Sequence, residues 1–369
     1  MSEETRTRIR VQPVALSSVT HVNGLLSRLE LGELSEDEVS SYRGRNDNWS
    51  GTTTSGHAVF VKQIVGQPAD IQQRIHHMAA FDRLAAHHEL EHLSTPRLLG
   101  YDLNHQLVVH EYLHGTVSAA ELAADDAFTG ELAALAGKAL AEVHTLGAGR
   151  SHADSGTGPL PPVKGLEAIP GSVYAGSSAG SIEAWSILHT DTEVARAIVD
   201  LVGEAAAFHR PVHGDLRIDQ ILWDGERLYL IDWEEFRLGD PARDVGAFAG
   251  EWLYRAVNGI PEKVGKDHPG QADHQPTDAE VIAAGTAELD RLRPVTEAFW
   301  RGYRSVDASA DEDLAVRAVR WAGWHMFDRM LALSEQSSRL PAISRAAAGI
   351  GRTALLAPEK FTKTIGLDV

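Results

Sequence analysis

The chain has no cysteine in 369 residues. That absence excludes disulfides, thiolate metal sites and a cysteine nucleophile together, and it fits a cytoplasmic protein. Long apolar runs are missing too. No stretch of about 18 apolar residues occurs, so no membrane-spanning helix is expected. The first residues, MSEETRTRIRVQPVAL, hold no apolar segment of signal-peptide length. Positive charge is scarce: 34 Lys and Arg stand against 52 Asp and Glu, a formal net charge of -18. A surface of that sign repels nucleic acid and anionic membranes, so neither is expected as a partner, whereas cationic ligands are admitted. No internal repeat or heptad array is visible.

What is present is ample apolar material. At 43% hydrophobic residues the chain can bury a large core, and its length suggests about two domains or lobes. A short helix is expected over 19–31. Residues 39–45 read as a strand, and Asn46-Asp47-Asn48-Trp49-Ser50-Gly51 reads as a turn, being rich in residues that tolerate unusual backbone angles. Two strands, 52–54 and 57–64, flank Ser55-Gly56; in the second, Val59 and Val61 alternate with Phe60 and Lys62. Apolar spacing of three and four predicts a helix over 69–88, followed by strands at 96–102 and 106–111. Beyond this the pattern is helical: 131–146, 193–209, 278–303, 312–334 and 342–356. Gly, Ser and Pro make 147–181 read as a long loop, and 258–277 reads as a second, polar loop.

The informative stretch runs Val212-His213-Gly214-Asp215-Leu216-Arg217-Ile218-Asp219-Gln220, then Leu228-Tyr229-Leu230-Ile231-Asp232-Trp233-Glu234. One carboxylate sits in a tight loop before a short apolar strand, and a second ends the next strand. A turn at Asp224-Gly225-Glu226-Arg227 joins the two strands, and antiparallel pairing across it brings Gln220 near Asp232. Phosphoryl transfer needs a carboxylate to take the proton of the attacking hydroxyl, oxygen ligands for magnesium, and a cation for the transferred group. Asp215 fits the first need, Gln220 and Asp232 the second, and Arg217 the third.

These residues resemble the aminoglycoside phosphotransferase and choline kinase superfamily, distant relatives of the protein kinases. His213-Gly214-Asp215, Ile231-Asp232-Trp233-Glu234 and Gly239-Asp240-Pro241-Ala242-Arg243-Asp244 match its signature in order and spacing. The resemblance spans roughly residues 40 to 340. It implies an α+β, bilobal protein-kinase-like fold: a small β-rich N-lobe (1–110), a hinge (111–115) and a larger, mainly helical C-lobe (116–369). ATP and Mg2+ are the implied cofactors, bound in a cleft between the lobes. His213 is implied to be structural, and Asp240 and Asp244 to orient the loop. Position 220 departs from the pattern, with Gln where the family usually has Asn.

On the nucleotide side the resemblance assigns Lys62 to the α- and β-phosphates. It assigns the backbone of Glu111 and Leu113 to the adenine edge. The loop 44–51 is expected to cover the phosphates, with Asn48 and Trp49 as candidate contacts. The helix after Lys62 lacks the Glu that the resemblance implies, and His77 or a neighbour stands at the expected place; Asp82 is the only carboxylate in its core.

For the acceptor, three readings compete. The blocks at 213–220 and 231–237 look like phosphotransferases associated with lanthipeptide and thioamitide biosynthesis, which implies a Ser/Thr hydroxyl on a peptide and a separate lyase protein as partner. A small-molecule kinase of aminoglycoside or amino-alcohol type would use Asp240, Glu251 and Asp328 to meet a cation. A nucleotide-binding pseudokinase scaffold is suggested by the missing helix Glu and by Gln220. The peptide kinase is the reading the sequence favours. Trp321, Trp324 and Asp328 fall on one helical face, which reads more readily as core than as pocket.

Overall fold

The computed structural model describes residues 10–42, 44, 46–147, 161–270, 274–307 and 311–368. They form two compact units. The first holds the described residues up to Phe128 together with Asp219–Phe236. The second holds Thr129–Leu146, the described residues from 161 to Ile218, and the chain from Arg237 onward.

The first unit is built on a four-stranded antiparallel sheet. Its strands lie in the order Asp47–Thr52, Ala58–Gln63, Leu107–Glu111 and Leu98–Asp102. Alternation in Ala58–Gln63 turns Val59 and Val61 into a core with Trp49, Leu107 and Val109. Val22, Leu25 and Leu26 of the helix His21–Arg28 close that core. Lys62 is thereby left on the other face of the sheet, available for chemistry. The helix Pro68–Ala85 starts with Pro in its first turn, where a missing N–H costs nothing. A hairpin of Ile221–Trp223 and Leu228–Leu230 completes the unit, with Leu230 opposite Ile221.

One expectation is corrected here. Residues 46–51 were expected to turn, but Asp47–Thr52 is a strand in register with Ala58–Gln63. Trp49 explains the override: its side chain is fully buried and its Nε1 donates to the Val14 carbonyl at 2.7 Å. Burial of one large ring outweighs local turn preference.

The second unit is helical. Gly130–Thr145 crosses Asp278–Val306, Ala242–Asp267 packs on both Asp278–Val306 and Leu314–Ser334, and Ala342–Leu356 packs on the latter. The first crossing depends on glycine. A Cβ on Gly137 would lie 2.0 Å from the Phe299 carbonyl oxygen, and one on Gly302 would lie 2.1 Å from that of Ala134. Two stretches expected to be loops contain helix. Ala242–Asp267 runs through Pro261, because Val257 and Ile260 are buried and hold the turn in place. Short helices Val163–Glu167 and Gly171–Gly176 occupy part of 147–181; residues 148–160 of that stretch and 271–273 of the other lie outside the described residues. No described helix is long and apolar enough to cross a membrane.

Replacing Trp49 with Ala is expected to cost about 3–5 kcal/mol by leaving a cavity in the sheet core. A thermal melt followed by circular dichroism reads this; an unchanged midpoint would show that Trp49 is not a core residue.

Candidate active site

In the first unit, Lys62 meets two carboxylates. Its Nζ lies 2.6 Å from Asp232 Oδ1 and 3.0 Å from Glu234 Oε2. Burial works against the ammonium, but the Asp232 and Glu234 charges outweigh it and raise the Lys62 pKa above the ordinary lysine value. Lys62 is therefore a permanent cation. His110, on the neighbouring strand opposite Phe60, is pushed down to about 4 by burial and by the Lys62 charge, so it is neutral near pH 7.

Asp232 sits in the left-handed region, at φ 70°, immediately after the hairpin. Asp tolerates that conformation better than most residues, because its short polar side chain bonds locally. The following turn, Trp233–Glu235, is clamped by the helix Pro68–Ala85. Phe81 stacks on Trp233 with centroids 3.4 Å apart, and His77 Nδ1 donates to the Glu234 carbonyl oxygen at 3.0 Å. Arg74, from the same helical face, donates through Nη2 to Glu234 Oε1. The helix thus offers Arg74, His77 and Phe81, at helical spacing, to the turn that follows Asp232. Asp82 points its carboxylate elsewhere, accepting the Leu98 N–H at 3.1 Å.

Gln220 is buried, and its backbone carbonyl accepts the Ile231 N–H at 3.0 Å, which sets it beside Asp232 on the hairpin. Glu111 ends its strand with its N–H bonded to the Arg97 carbonyl. The Leu113 N–H makes no hydrogen bond among the described residues, while its carbonyl accepts Thr116 Oγ1 at 3.2 Å. Asn48, expected at the phosphates, has its side-chain amide engaged within the chain. Its Oδ1 accepts Tyr42 N–H (2.8 Å) and Ser41 Oγ (3.2 Å), and its Nδ2 donates to the carbonyls of Tyr42 (2.9 Å) and Asn46 (3.3 Å). That is the full capacity of an amide, spent within the strand region.

In the second unit, Arg210–Val212 pairs with Arg237–Gly239 and delivers the His213-Gly214-Asp215 loop. Asp244 shapes that loop from the start of Ala242–Asp267. Its Oδ2 accepts the His213 N–H at 2.7 Å and its Oδ1 accepts the Gly214 N–H at 2.9 Å. Gly214 adopts φ 85°, which a side chain would resist. His144 Nε2 adds a contact to Asp244 Oδ2 at 3.1 Å. Burial disfavours the Asp244 carboxylate, yet the His144 hydrogen bond and the neighbouring partners hold its pKa below the ordinary aspartate value. Asp240 caps the same helix at the Ala242 N–H and pairs with Arg317 at 3.0 Å.

Asp215 emerges from this frame about 40% exposed, with Arg217 Nη1 3.7 Å from its Oδ2. Both line a cavity of about 100 Å³ shared with Trp321, Trp324, Asp328 and Arg329. Both tryptophans are buried, and the Trp321 Nε1 has no hydrogen-bond partner among the described residues. The face that reads as core in the sequence therefore also walls a cavity beside Asp215. The three carboxylates nominated for a cation are each engaged: Asp240 with Arg317, Glu251 with His325 at 2.9 Å, and Asp328 with Arg329 at 2.7 Å.

The residues missed from sequence are Glu234 and Arg74; His77, expected at the place of the helix glutamate, instead meets the Glu234 backbone. Glu234 stands in the recognised Ile-Asp-Trp-Glu block without an assigned part. Arg74 had a signal of its own: it is a cation on the apolar stripe of Ile71, Ile75 and Met78.

A strand lysine paired with the aspartate that follows a β-hairpin, in the β-rich unit of a chain whose other unit is mainly helical, is what a phosphotransferase of kinase-like fold presents. Residues 43–268, more than half of the chain, match the model of the phosphotransferase enzyme family, and the chain belongs to that family. Solved structures agree on the fold. The choline kinase LicA from Streptococcus pneumoniae aligns over 92% of this chain and 99% of its own, at 16% identity and a TM-score of 0.53. An amicoumacin kinase, hAmiN, solved with AMP-PNP and Ca2+, aligns over 92% and 95%, at 12% identity and a TM-score of 0.52. No curated protein matches the sequence.

The Asp244 arrangement gives a signed prediction. Its folded pKa is depressed, so the stability it contributes is present above the unfolded value and is lost as pH falls through the folded one. Asp244→Asn should lower stability by roughly 3–5 kcal/mol at pH 7. The gap from wild type should close as pH drops below about 4. Melting midpoints of both proteins across pH 3–7 measure it; a gap that stays constant with pH would refute the assignment.

Proposed function

We propose that the chain uses magnesium and ATP to phosphorylate a hydroxyl held beside Asp215. The observation that carries this is the 2.6 Å contact of Lys62 with Asp232. It joins a strand cation to the carboxylate of the Ile-Asp-Trp-Glu block, the two groups a nucleotide and its metal require.

The donor set fits the metal. Gln220 offers an amide oxygen and Asp232 a carboxylate oxygen, hard ligands suited to magnesium or calcium. These two residues would hold the ion, which would neutralise charge on the nucleotide phosphates. Lys62, permanently charged, binds the α- and β-phosphates. The Leu113 N–H and the Glu111 carbonyl serve the adenine edge. Asp215 takes the proton of the acceptor hydroxyl as its oxygen bonds to the γ-phosphorus and the bridging oxygen leaves with ADP. Arg217, beside Asp215, offsets charge on the group in flight.

The acceptor is read as a small hydroxyl compound. A cavity of about 100 Å³ suits a compact group, and the aligned structures are named as kinases of choline and of amicoumacin. A second reading, phosphorylation of a peptide Ser or Thr ahead of a lyase, is favoured by the likeness of the 213–220 and 231–237 blocks to peptide-tailoring phosphotransferases. Mass spectrometry of peptides and of small alcohols incubated with the enzyme and ATP separates the two.

Asp215→Asn is expected to slow turnover by about 10²–10⁴-fold with the fold intact. Asp232→Ala should abolish activity and its magnesium dependence, while Gln220→Asn should keep activity or tighten magnesium. ADP release in a coupled assay reads all three. Full turnover in Asp215→Asn or Asp232→Ala would sink the respective assignment, and absence of any ATP turnover by the wild type would leave the pseudokinase scaffold.

A further inference from the structure

A phosphate-binding lysine needs a standing carboxylate that aims it and does not leave when nucleotide arrives. In a kinase the helix after the lysine strand supplies it as a glutamate. Here the helix Pro68–Ala85 supplies no glutamate at all. Lys62 instead has Asp232 and Glu234. These two are not equivalent. Asp232 is the metal ligand of the proposed function, so its contact with Lys62 is the one a bound metal and nucleotide compete for. Glu234 is fixed on every side: Arg74 takes Oε1, Lys62 takes Oε2, and His77 holds its carbonyl oxygen.

The sign of residue 74 follows from this. Arg74 is 2% exposed and Glu234 is 6% exposed. A glutamate at position 74 would confront Glu234 with water excluded, which is strongly unfavourable, whereas a guanidinium completes the pair. Burial penalises the Arg74 charge, and Glu234 more than restores it. The four groups then alternate in sign: Arg74, Glu234, Lys62, Asp232.

We propose, on the basis of the kinase reading, that Arg74 is a positioning residue that locks Glu234 as the permanent counter-ion of Lys62. The lysine–carboxylate pair of a kinase is kept in this chain with its parts exchanged. The carboxylate comes from the turn two residues after Asp232, and the helix contributes the cation that holds it. Arg74 touches no substrate in this scheme. It acts by keeping Lys62 aimed after Asp232 has turned to the metal.

The test compares wild type with Arg74→Lys, Arg74→Met, Glu234→Gln and the double variant Arg74→Met/Glu234→Gln. Two readouts are taken: affinity for MANT-ATP with magnesium, and the melting midpoint. Arg74→Met and Glu234→Gln should each weaken MANT-ATP by about tenfold or more. Arg74→Lys should recover most of that loss. The double variant, which removes both buried charges, should regain thermal stability without regaining affinity. A merely structural pair predicts otherwise: melting would fall while MANT-ATP affinity stayed within about twofold of wild type, or the double variant would restore both. Either result overturns the proposal. If Arg74→Met does not fold, Glu234→Gln and Arg74→Lys decide alone, and wild-type affinity in a folded Glu234→Gln overturns it. Failure of the wild type to bind MANT-ATP is a separate outcome that sinks the kinase reading and this inference with it.

Discussion

The β-rich unit is organised around a lysine that has been taken out of water. Lys62 lies on a central strand with its ammonium enclosed, a placement that is costly unless carboxylates answer it within hydrogen-bonding reach. Asp232 and Glu234 do so, and answering it constrains everything around them. Asp232 accepts a left-handed backbone to arrive there. The turn behind it must be rigid, so Phe81 stacks on Trp233 and His77 bonds the turn backbone. The second carboxylate requires a second cation, and Arg74 provides it. Position of the helix, conformation of the turn and charge of the lysine are one problem in electrostatics with one solution.

The helical unit solves a related problem with the opposite sign. There the buried charge is a carboxylate, Asp244, and most of its partners are backbone N–H groups. Two consecutive amides, from His213 and Gly214, converge on its two oxygens, which is possible because Gly214 takes a positive φ. Asp215 is the next residue. Its direction is therefore set by a buried carboxylate two contacts of backbone away, while its own side chain stays partly exposed. In both units a buried ion pair or carboxylate fixes the backbone beside a candidate site residue.

This division explains what could be read from the sequence. Asp215, Gln220, Asp232 and Lys62 occur at spacings dictated by local chemistry, a tight loop, a hairpin and an alternating strand, and local chemistry is written in consecutive residues. The hairpin register that sets Gln220 beside Asp232 followed from turn length alone. Glu234 and Arg74 are 160 residues apart in the chain, and nothing in either neighbourhood names the other; only the docking of a helix onto a turn makes them partners. The strand at Asp47–Thr52 was misread for the same reason. Asn, Asp, Ser and Gly favour a turn locally, and the competing preference, burial of Trp49 with its Nε1 bonded to the Val14 carbonyl, comes from chain more than thirty residues away. The helix through Pro261 persists because its buried face is anchored by neighbouring helices, again a distant cause.

The same reasoning separates the charge of the chain from the charge of its cavity. A formal -18 suggests a site for cations, and Asp240, Glu251 and Asp328 were the residues expected to make it. Asp240 and Asp328 prove to be ion-paired with Arg317 and Arg329, and Glu251 lies 2.9 Å from His325 Nε2. The cavity beside Asp215 is lined by three guanidiniums, of Arg217, Arg243 and Arg329, as well as by carboxylates. Its donors are these guanidiniums and the buried indole N–H of Trp321, and its acceptors include the partly exposed carboxylate of Asp215. Net charge governs how a ligand is drawn toward the surface. What the cavity can recognise is set by the hydrogen-bonding groups that line it, and these include both guanidinium donors and carboxylate acceptors.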